Sequence, residues 1–330
     1  MRAAFPTFRP RPPWFGPDLQ TLRNTFVAVR PDFSASASER LTLPLTDGSG
    51  DRLAALLQRP RRAIRPLVIL VHGLAGTEDS PYMQVTAATL LAAGHPVLRL
   101  NLRGSGPSRP LCRLQYHAGR SDDLRDALAG LDPALCDGGI LLVGYSLGGN
   151  MMLKFLAERA ARFPIRAAAV VSAPLDLAAA SRRILERRNR VYHFSLLRWM
   201  QAESLGSGAG VTVDEQYRIR AARTILEFDD RFVAPRNGYA DAAAYYAENS
   251  STRFIAAVRV PTLVIHALDD PWIPSTAYRN TAWHENPNLF PLLPDSGGHV
   301  GFHGRGSTVP WHDRCLAQFF AQPSGTTNAA

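Results

Sequence analysis

The feature that most constrains this chain is an alternation of two kinds of segment between Pro66 and Pro174. PLVILVHG (66–73), HPVLRLNLRG (95–104), GILLVGYS (139–146) and IRAAAVVSAP (165–174) are short apolar runs closed by glycine or proline. Runs of that length without polar alternation read as strands buried on both faces. Between them, SPYMQVTAATLLAAG (80–94), RSDDLRDALAGL (120–131) and LGGNMMLKFLAERAARF (147–163) carry helical spacing. Ser80 stands as an N-cap, with Pro81 at the first helical position and Gly94 just past the end. Strand and helix in alternation require a parallel sheet with right-handed crossovers, an α/β fold with helices flanking a mostly parallel central sheet.

The remaining segments extend that pattern. RLTLPLTDGSGDRLAALLQRP (40–60) alternates, turns at Asp47–Gly50 and runs apolar again, a hairpin signal. From Leu175 to Arg259 the alternation stops, and the chain becomes polar, arginine-rich and helical in character. VPTLVIHALDDP (260–271) restores a buried strand, NLFPLLPDSGGH (288–299) a shorter one, and WHDRCLAQFF (311–320) a closing helix. The expected organisation is an extended N-terminal arm over 1–40, a core over 41–174 and 260–322, a helical lid insertion over 175–259 and a flexible tail over 323–330. An insertion between late strands of such a sheet is a natural place for a lid.

With 330 residues and 46% hydrophobic content, the chain can bury a large core as one α/β domain. Its formal charge is +9. The basic residues are spread along the chain, almost all arginine, and Lys154 is the sole lysine. Spread charge reads as solvated surface, so no nucleic-acid partner is expected. Cys112, Cys136 and Cys315 are widely spaced and form no CxxC pair, which suggests neither a disulfide framework nor a zinc site. The N-terminus lacks the apolar core of a signal peptide, and no apolar run is long enough to span a bilayer. A cytoplasmic protein without stable membrane insertion is the expectation.

Gly144-Tyr145-Ser146-Leu147-Gly148 is a G-x-S-x-G pentapeptide between a buried strand and a helix. That context turns a weak motif into a nucleophile elbow, a tight turn that lifts a serine Oγ clear of the sheet. The bland reading is an N-capping serine in a glycine-rich loop. A phosphate-binding loop is disfavoured because GxxxxGK[ST] is absent. A serine nucleophile needs a base and an orienting acid, in the chain order Ser, acid, His. Among nine histidines, His299 in DSGGHVGF follows the last strand and falls at the sheet edge beside the elbow. His303 and His312 come later, and a His299/His303 metal pair lacks a helix and a third ligand. The acid belongs to Asp269-Asp270 after the restored strand, with the register favouring Asp270. Asp176 is a backup. The oxyanion donors are expected to be the backbone N–H groups of Leu147 and Leu74.

VHGLAG, LNLRGSG, GYSLGGN and GGHVGF, in this order, resemble the α/β-hydrolase superfamily. PPWFGPDLQTL, SPYMQ, EFDDRFVAPRNGYADAAAYYAENS and ALDDPWIP narrow the resemblance to its YheT-like, ABHD-type branch, over residues 10 to 320. The resemblance implies an α/β-hydrolase fold and carboxylic ester hydrolysis, with Ser146 as nucleophile, His299 as base and an aspartate of DDP as acid. It implies no metal and no organic cofactor. The chain departs from the branch at GPDLQT, where a histidine near Asp18 is expected. The function anticipated is a serine esterase of short- to medium-chain acyl esters or lipid-like substrates, working through an acyl-enzyme. An acyltransferase with the same triad and a catalytically silent binding module are the alternatives. The lid carries Tyr192, Phe194, Trp199, Tyr245 and Tyr246, expected mainly as packing, and RRILERRNR (182–190), expected mainly as a solvated helix face.

Overall fold

The computed structural model describes residues 5–63 and 65–322; the tail expected over 323–330 lies outside them. Eight strands form one sheet: β1 Ser36–Pro44, β2 Arg52–Pro60, β3 Leu67–Val71, β4 Val97–Leu100, β5 Ile140–Tyr145, β6 Ile165–Val171, β7 Thr262–Ile265 and β8 Leu289–Leu292. Their order is β1-β2-β4-β3-β5-β6-β7-β8. The predicted hairpin is β1 and β2, and β2 pairs antiparallel with β4. All pairs from β4 through β8 are parallel.

The strands read as unbroken apolar runs because both faces of the sheet are covered. Ile69, Val71, Ile140 and Leu142 join one core with Leu124, Met151 and Phe155 from the helices Ser121–Ala129 and Leu147–Glu158. Val68, Leu70, Leu141 and Val143 join the other with Met83, Leu90, Trp311 and Leu316 from Pro81–Ala92 and Trp311–Phe320. Sheet order reverses between β3 and β5, and in open parallel sheets ligands bind at the carboxyl ends beside such a reversal.

Two expectations need correction. The helix expected over Leu147–Phe163 ends at Glu158, because Arg159 leaves helical geometry at φ −130°. The N-terminal arm is not extended throughout: Gly16–Phe26 is helical, started by proline in its first turn. Its buried Gln20 donates to the carbonyls of Trp14 and His303, so tertiary contacts rather than hydrophobic periodicity hold this helix.

Between β6 and β7 the chain runs through the helices Leu177–Ile184, Arg190–Ser204, Val213–Ala221 and Ala242–Asn249, joined by shorter turns. The first three share a small core that includes Ile184, Leu196, Met200, Ile219 and Phe228, whereas Ala242, Tyr245 and Tyr246 of the fourth pack in a separate cluster with Ala118, Leu177 and Ala234. Among the described residues, no helix is long and apolar enough to cross a membrane.

After β4, the Arg103 guanidinium is fully buried. It bonds Asp123 at 2.6 and 2.9 Å, Asp51 at 3.2 Å and Asp47 at 2.8 Å, tying the hairpin turn to the helix Ser121–Ala129. Removing one member of a buried charge cluster leaves the others unpaired, a loss of about 3–5 kcal/mol. Arg103→Ala should therefore lower unfolding free energy by that order, measured as a shifted urea midpoint at unchanged m-value.

Candidate active site

The site is built at the carboxyl ends of β5, β7 and β8. Ser146 follows β5 directly and starts the helix Leu147–Glu158, with φ 48° and ψ −122°. A non-glycine residue in this region is strained by about 1–3 kcal/mol and persists only where its surroundings over-determine it. Here Ser146 N–H donates to Val171 O on β6 at 2.9 Å. The flanking glycines complete the constraint. A Cβ at Gly148 would lie 2.3 Å from His72 O, and one at Gly144 would lie 2.9 Å from Gly148 O. The helix that begins at Leu147 points its positive end toward Ser146.

His299 Nε2 lies 3.0 Å from Ser146 Oγ, and His299 Nδ1 lies 2.8 Å from Asp270 Oδ2. A proton on Nδ1 donates to the carboxylate and leaves Nε2 to accept from the serine. Asp270 is buried, and its Oδ1 accepts from the N–H groups of Trp272 (2.8 Å) and Ile273 (3.0 Å). Burial alone would raise this carboxyl, but the His299 charge and hydrogen bond, with smaller help from His266 and Ile273, outweigh it and hold Asp270 below its ordinary range. His266 Nδ1 lies 3.9 Å from Asp270 Oδ2, the oxygen that faces His299. It is stacked on Tyr278, and burial lowers it to about 4, so it is neutral near pH 7.

The neighbouring acids have other tasks. Asp269 Oδ1 accepts from Gly298 N–H at 2.9 Å and so holds the loop that carries His299. Asp176 caps the helix Leu177–Ile184 by accepting from Ala179 N–H. His303 and His312 are buried away from Ser146, and burial pushes each down to about 3. Among the described residues, no group of three or more His, Cys, Asp or Glu side chains has a metal-holding arrangement.

Leu74 and Leu147 line the same cavity as Ser146 and His299. Leu74 sits between two pinned amides: Gly73 N–H donates to Tyr82 Oη (3.0 Å) and Ala75 N–H to Tyr116 Oη (2.8 Å). Ala75 has φ 54°, which turns the loop sharply after β3. Tyr116 in turn donates to Glu203 of the helix Arg190–Ser204 at 2.9 Å.

Contacts that sequence reasoning passed over complete the surroundings. Thr21 Oγ1, on the arm helix, accepts from His299 N–H at 2.9 Å. Trp272 stacks on the His299 ring at 4.3 Å between centroids. Asp18, where the branch pattern calls for histidine nearby, accepts from Arg188 and from Tyr192 Oη, both at 3.0 Å, and joins the arm to the insertion. Proximity in sequence signals none of these contacts except that of Trp272, which lies next to DDP.

The cavity over Ser146 measures about 380 Å³ and has a mainly apolar wall that includes Leu177, Ile184, Leu196, Trp199 and Ile225. Of the five aromatics singled out in the insertion, Trp199, Tyr245 and Tyr246 line it. Tyr192 and Phe194 do not, and neither do the arginines of RRILERRNR. A larger hollow of about 880 Å³, between Arg182 and Asn286, contains none of Ser146, Asp270 or His299.

Residues 68–309 match the alpha/beta hydrolase family. The chain is 33% identical over 270 residues to a protein of Escherichia coli (strain K12) named putative esterase YheT, covering 81% of this chain and 78% of that one. It is 27% identical over 292 residues to medium-chain fatty acid ethyl ester synthase/esterase 2 of Saccharomyces cerevisiae. That match covers 81% of this chain but 64% of the yeast protein, so the chain spans less than two thirds of that relative. Among solved structures, the Pyrococcus furiosus esterase Pf2001 superposes with TM-score 0.62 at 14% identity, over 98% of this chain and 100% of that one, a likeness of fold.

The elbow's packing has a direct consequence. The atom that a Cβ at Gly148 would meet is a backbone carbonyl, which cannot rotate away. Over-packing of this kind costs about 1–3 kcal/mol. Gly148→Ala should lower the thermal midpoint by several degrees, read by calorimetry, whereas Gly238→Ala, with open space around its Cβ but φ +81°, tests strain without a clash.

Proposed function

Because the chain belongs to the alpha/beta hydrolase family, in its YheT-like, ABHD-type branch, and is an ester-hydrolysing enzyme, we propose that it cleaves short- to medium-chain acyl esters through an acyl-enzyme on Ser146. The observation that carries this reading is the single imidazole placed 3.0 Å from a serine Oγ and 2.8 Å from a buried carboxylate. Ser146 Oγ attacks the ester carbonyl carbon while His299 Nε2 takes its proton. The tetrahedral oxyanion is held by the N–H groups of Leu74 and Leu147, helped by the helix N-terminus. The intermediate collapses, the C–O bond to the alcohol breaks, and His299 returns the proton to the departing alkoxide. Water then repeats the sequence and releases the carboxylic acid. Asp270 holds the Nδ1–H tautomer and stabilises the imidazolium.

We assign residues 175–259 as the lid and residues 1–40 as an arm that braces it. Support comes from the insertion's contribution to the cavity wall, from the Asp18 contacts to Arg188 and Tyr192, and from Thr21 on the His299 amide. The occupant is a small-molecule acyl ester: the wall is mostly apolar and its volume lies in the range of small-molecule sites. The yeast relative's name couples synthase with esterase, which favours a second reading in which an alcohol replaces water in deacylation. A silent binding module is disfavoured, because nucleophile, base and acid all stand within hydrogen-bond reach.

A fluorophosphonate probe should label the wild type and not Ser146→Ala. A p-nitrophenyl ester panel from acetate to palmitate should peak at short to medium chains, and added ethanol should divert product from acid to ethyl ester if transfer competes. An unlabelled, well-folded wild type overturns the reading. Asp270→Asn should lower kcat by about 10³–10⁴ through loss of the working tautomer. Asp269→Asn, which disturbs only the loop amide, should stay within about tenfold of wild type.

A further inference from the structure

One carboxyl interrupts the apolar wall of the cavity over Ser146. Asp229 opens the π-helical turn Asp229–Val233 in the insertion, a wide turn of the kind frequently found at functional sites. It is 8% exposed, and it lines the cavity together with Ser181 and Tyr246. Tyr246 Oη donates to Asp229 Oδ2 at 2.5 Å, and Ser181 Oγ lies 3.2 Å from the same hydroxyl. Among the described residues, Tyr246 is the only hydrogen-bond partner of this carboxyl, and no basic side chain forms an ion pair with it. No lysine or arginine lines the cavity.

A buried carboxyl without a counter-charge is costly, and replacing it by an apolar side chain of similar size would relieve the cost. Its one bond, from Tyr246, accounts for Oδ2 and leaves Oδ1 for a ligand. Burial raises the carboxyl to about 7, with the Tyr246 bond opposing, so both protonation states exist near neutrality. A hydroxyl suits both states, because it accepts from the acid and donates to the carboxylate. A cationic group suits only the ionised state. An anionic group finds no cation in the wall.

We propose that Asp229, with Tyr246 and Ser181, forms a polar subsite that takes a hydroxyl group of the substrate, so that hydroxylated acyl esters are preferred to the same esters without the hydroxyl. This rests on the reading of Ser146 as the group that accepts the acyl chain. Asp229 selects among esters and does not touch the reacting carbonyl.

The test compares kcat/KM within matched pairs. Hydroxyethyl octanoate against propyl octanoate places the hydroxyl on the alcohol, and ethyl β-hydroxybutyrate against ethyl butyrate places it on the acyl chain. A hydrogen bond in a site built for it should give the wild type a preference of about tenfold or more in one of the two pairs. Asp229→Leu should bring that ratio to about one, and Asp229→Asn, which keeps hydrogen-bonding capacity, should retain most of it. A merely structural Asp229 would lower both members of a pair together and leave the ratio unmoved. Ratios near one in both pairs for the wild type, a ratio that survives Asp229→Leu, or a preference for butyrylcholine over both pairs overturns the proposal. If Asp229→Leu fails to fold by circular dichroism, Ser181→Ala takes its place and should reduce the ratio several-fold. Calorimetric binding of unreactive ether analogues of both pairs, each with and without the hydroxyl, separates the two readings. Equal affinities within both pairs refute the subsite, whereas tighter hydroxyl binding by an enzyme that no fluorophosphonate labels refutes only the role of Ser146.

Discussion

The close approach of the helix Leu147–Glu158 to the ends of β3 and β5 is the constraint on which the site depends. Gly148 packs where even a methyl group would meet His72 O, and Gly144 packs against Gly148 and Gly149. Between these two close approaches Ser146 is held at positive φ. The strain of its φ 48° is stabilised by the sheet bond to Val171 and by the cores on both faces. The result is an Oγ raised above the sheet edge, at the positive end of a helix, where the loops after β7 and β8 can reach it.

Those loops divide their tasks between adjacent residues. Asp270 turns inward, takes two backbone N–H groups and faces the imidazole, while Asp269 braces Gly298 on the partner loop. His299 is fixed at its backbone by Thr21 and over its ring by Trp272, and the next amide, Val300 N–H, donates to Ser172 Oγ at 3.2 Å. Each support comes from a different part of the chain. The His299 ring is therefore positioned by the arm helix, by Ser172 just after β6 and by the DDP loop together. Buried His72 and His266, both lowered to about 4, contribute neutral packing near the site without adding charge.

The insertion and the arm enclose the elbow with mostly apolar surface and keep the arginines outside. Asp18 fastens the two elements to each other, and the Glu203–Tyr116–Ala75 chain fastens the insertion to the loop after β3. The insertion thus both lines the cavity and is hydrogen-bonded, through Tyr116, to the loop that carries Leu74. Asp229 stands out within this enclosure as a polar group that the packing alone does not require.

The local patterns were legible because they are short-range. Strands buried on both faces appear as unbroken apolar runs, amphipathic helices as 3.6-residue periodicity, and the elbow as glycines around a serine at a strand end. The order Ser146, Asp269-Asp270, His299 follows from those elements and their topology. Other features have no local signature. The arm helix Gly16–Phe26 lacks a strong apolar stripe and is held by Gln20 against a loop 283 residues away. The separation of roles between Asp269 and Asp270 depends on which carboxylate faces His299 once β7 and β8 lie side by side. The sequence by itself determined the sheet, its crossovers and the place of the serine turn between a strand and a helix, because backbone sterics and hydrophobic period act over a few residues. Only the tertiary structure decided that Asp18 joins the arm to the insertion, that Asp269 braces Gly298 and that one carboxyl lies in the cavity wall, because those outcomes depend on distances between segments that no spacing along the chain encodes.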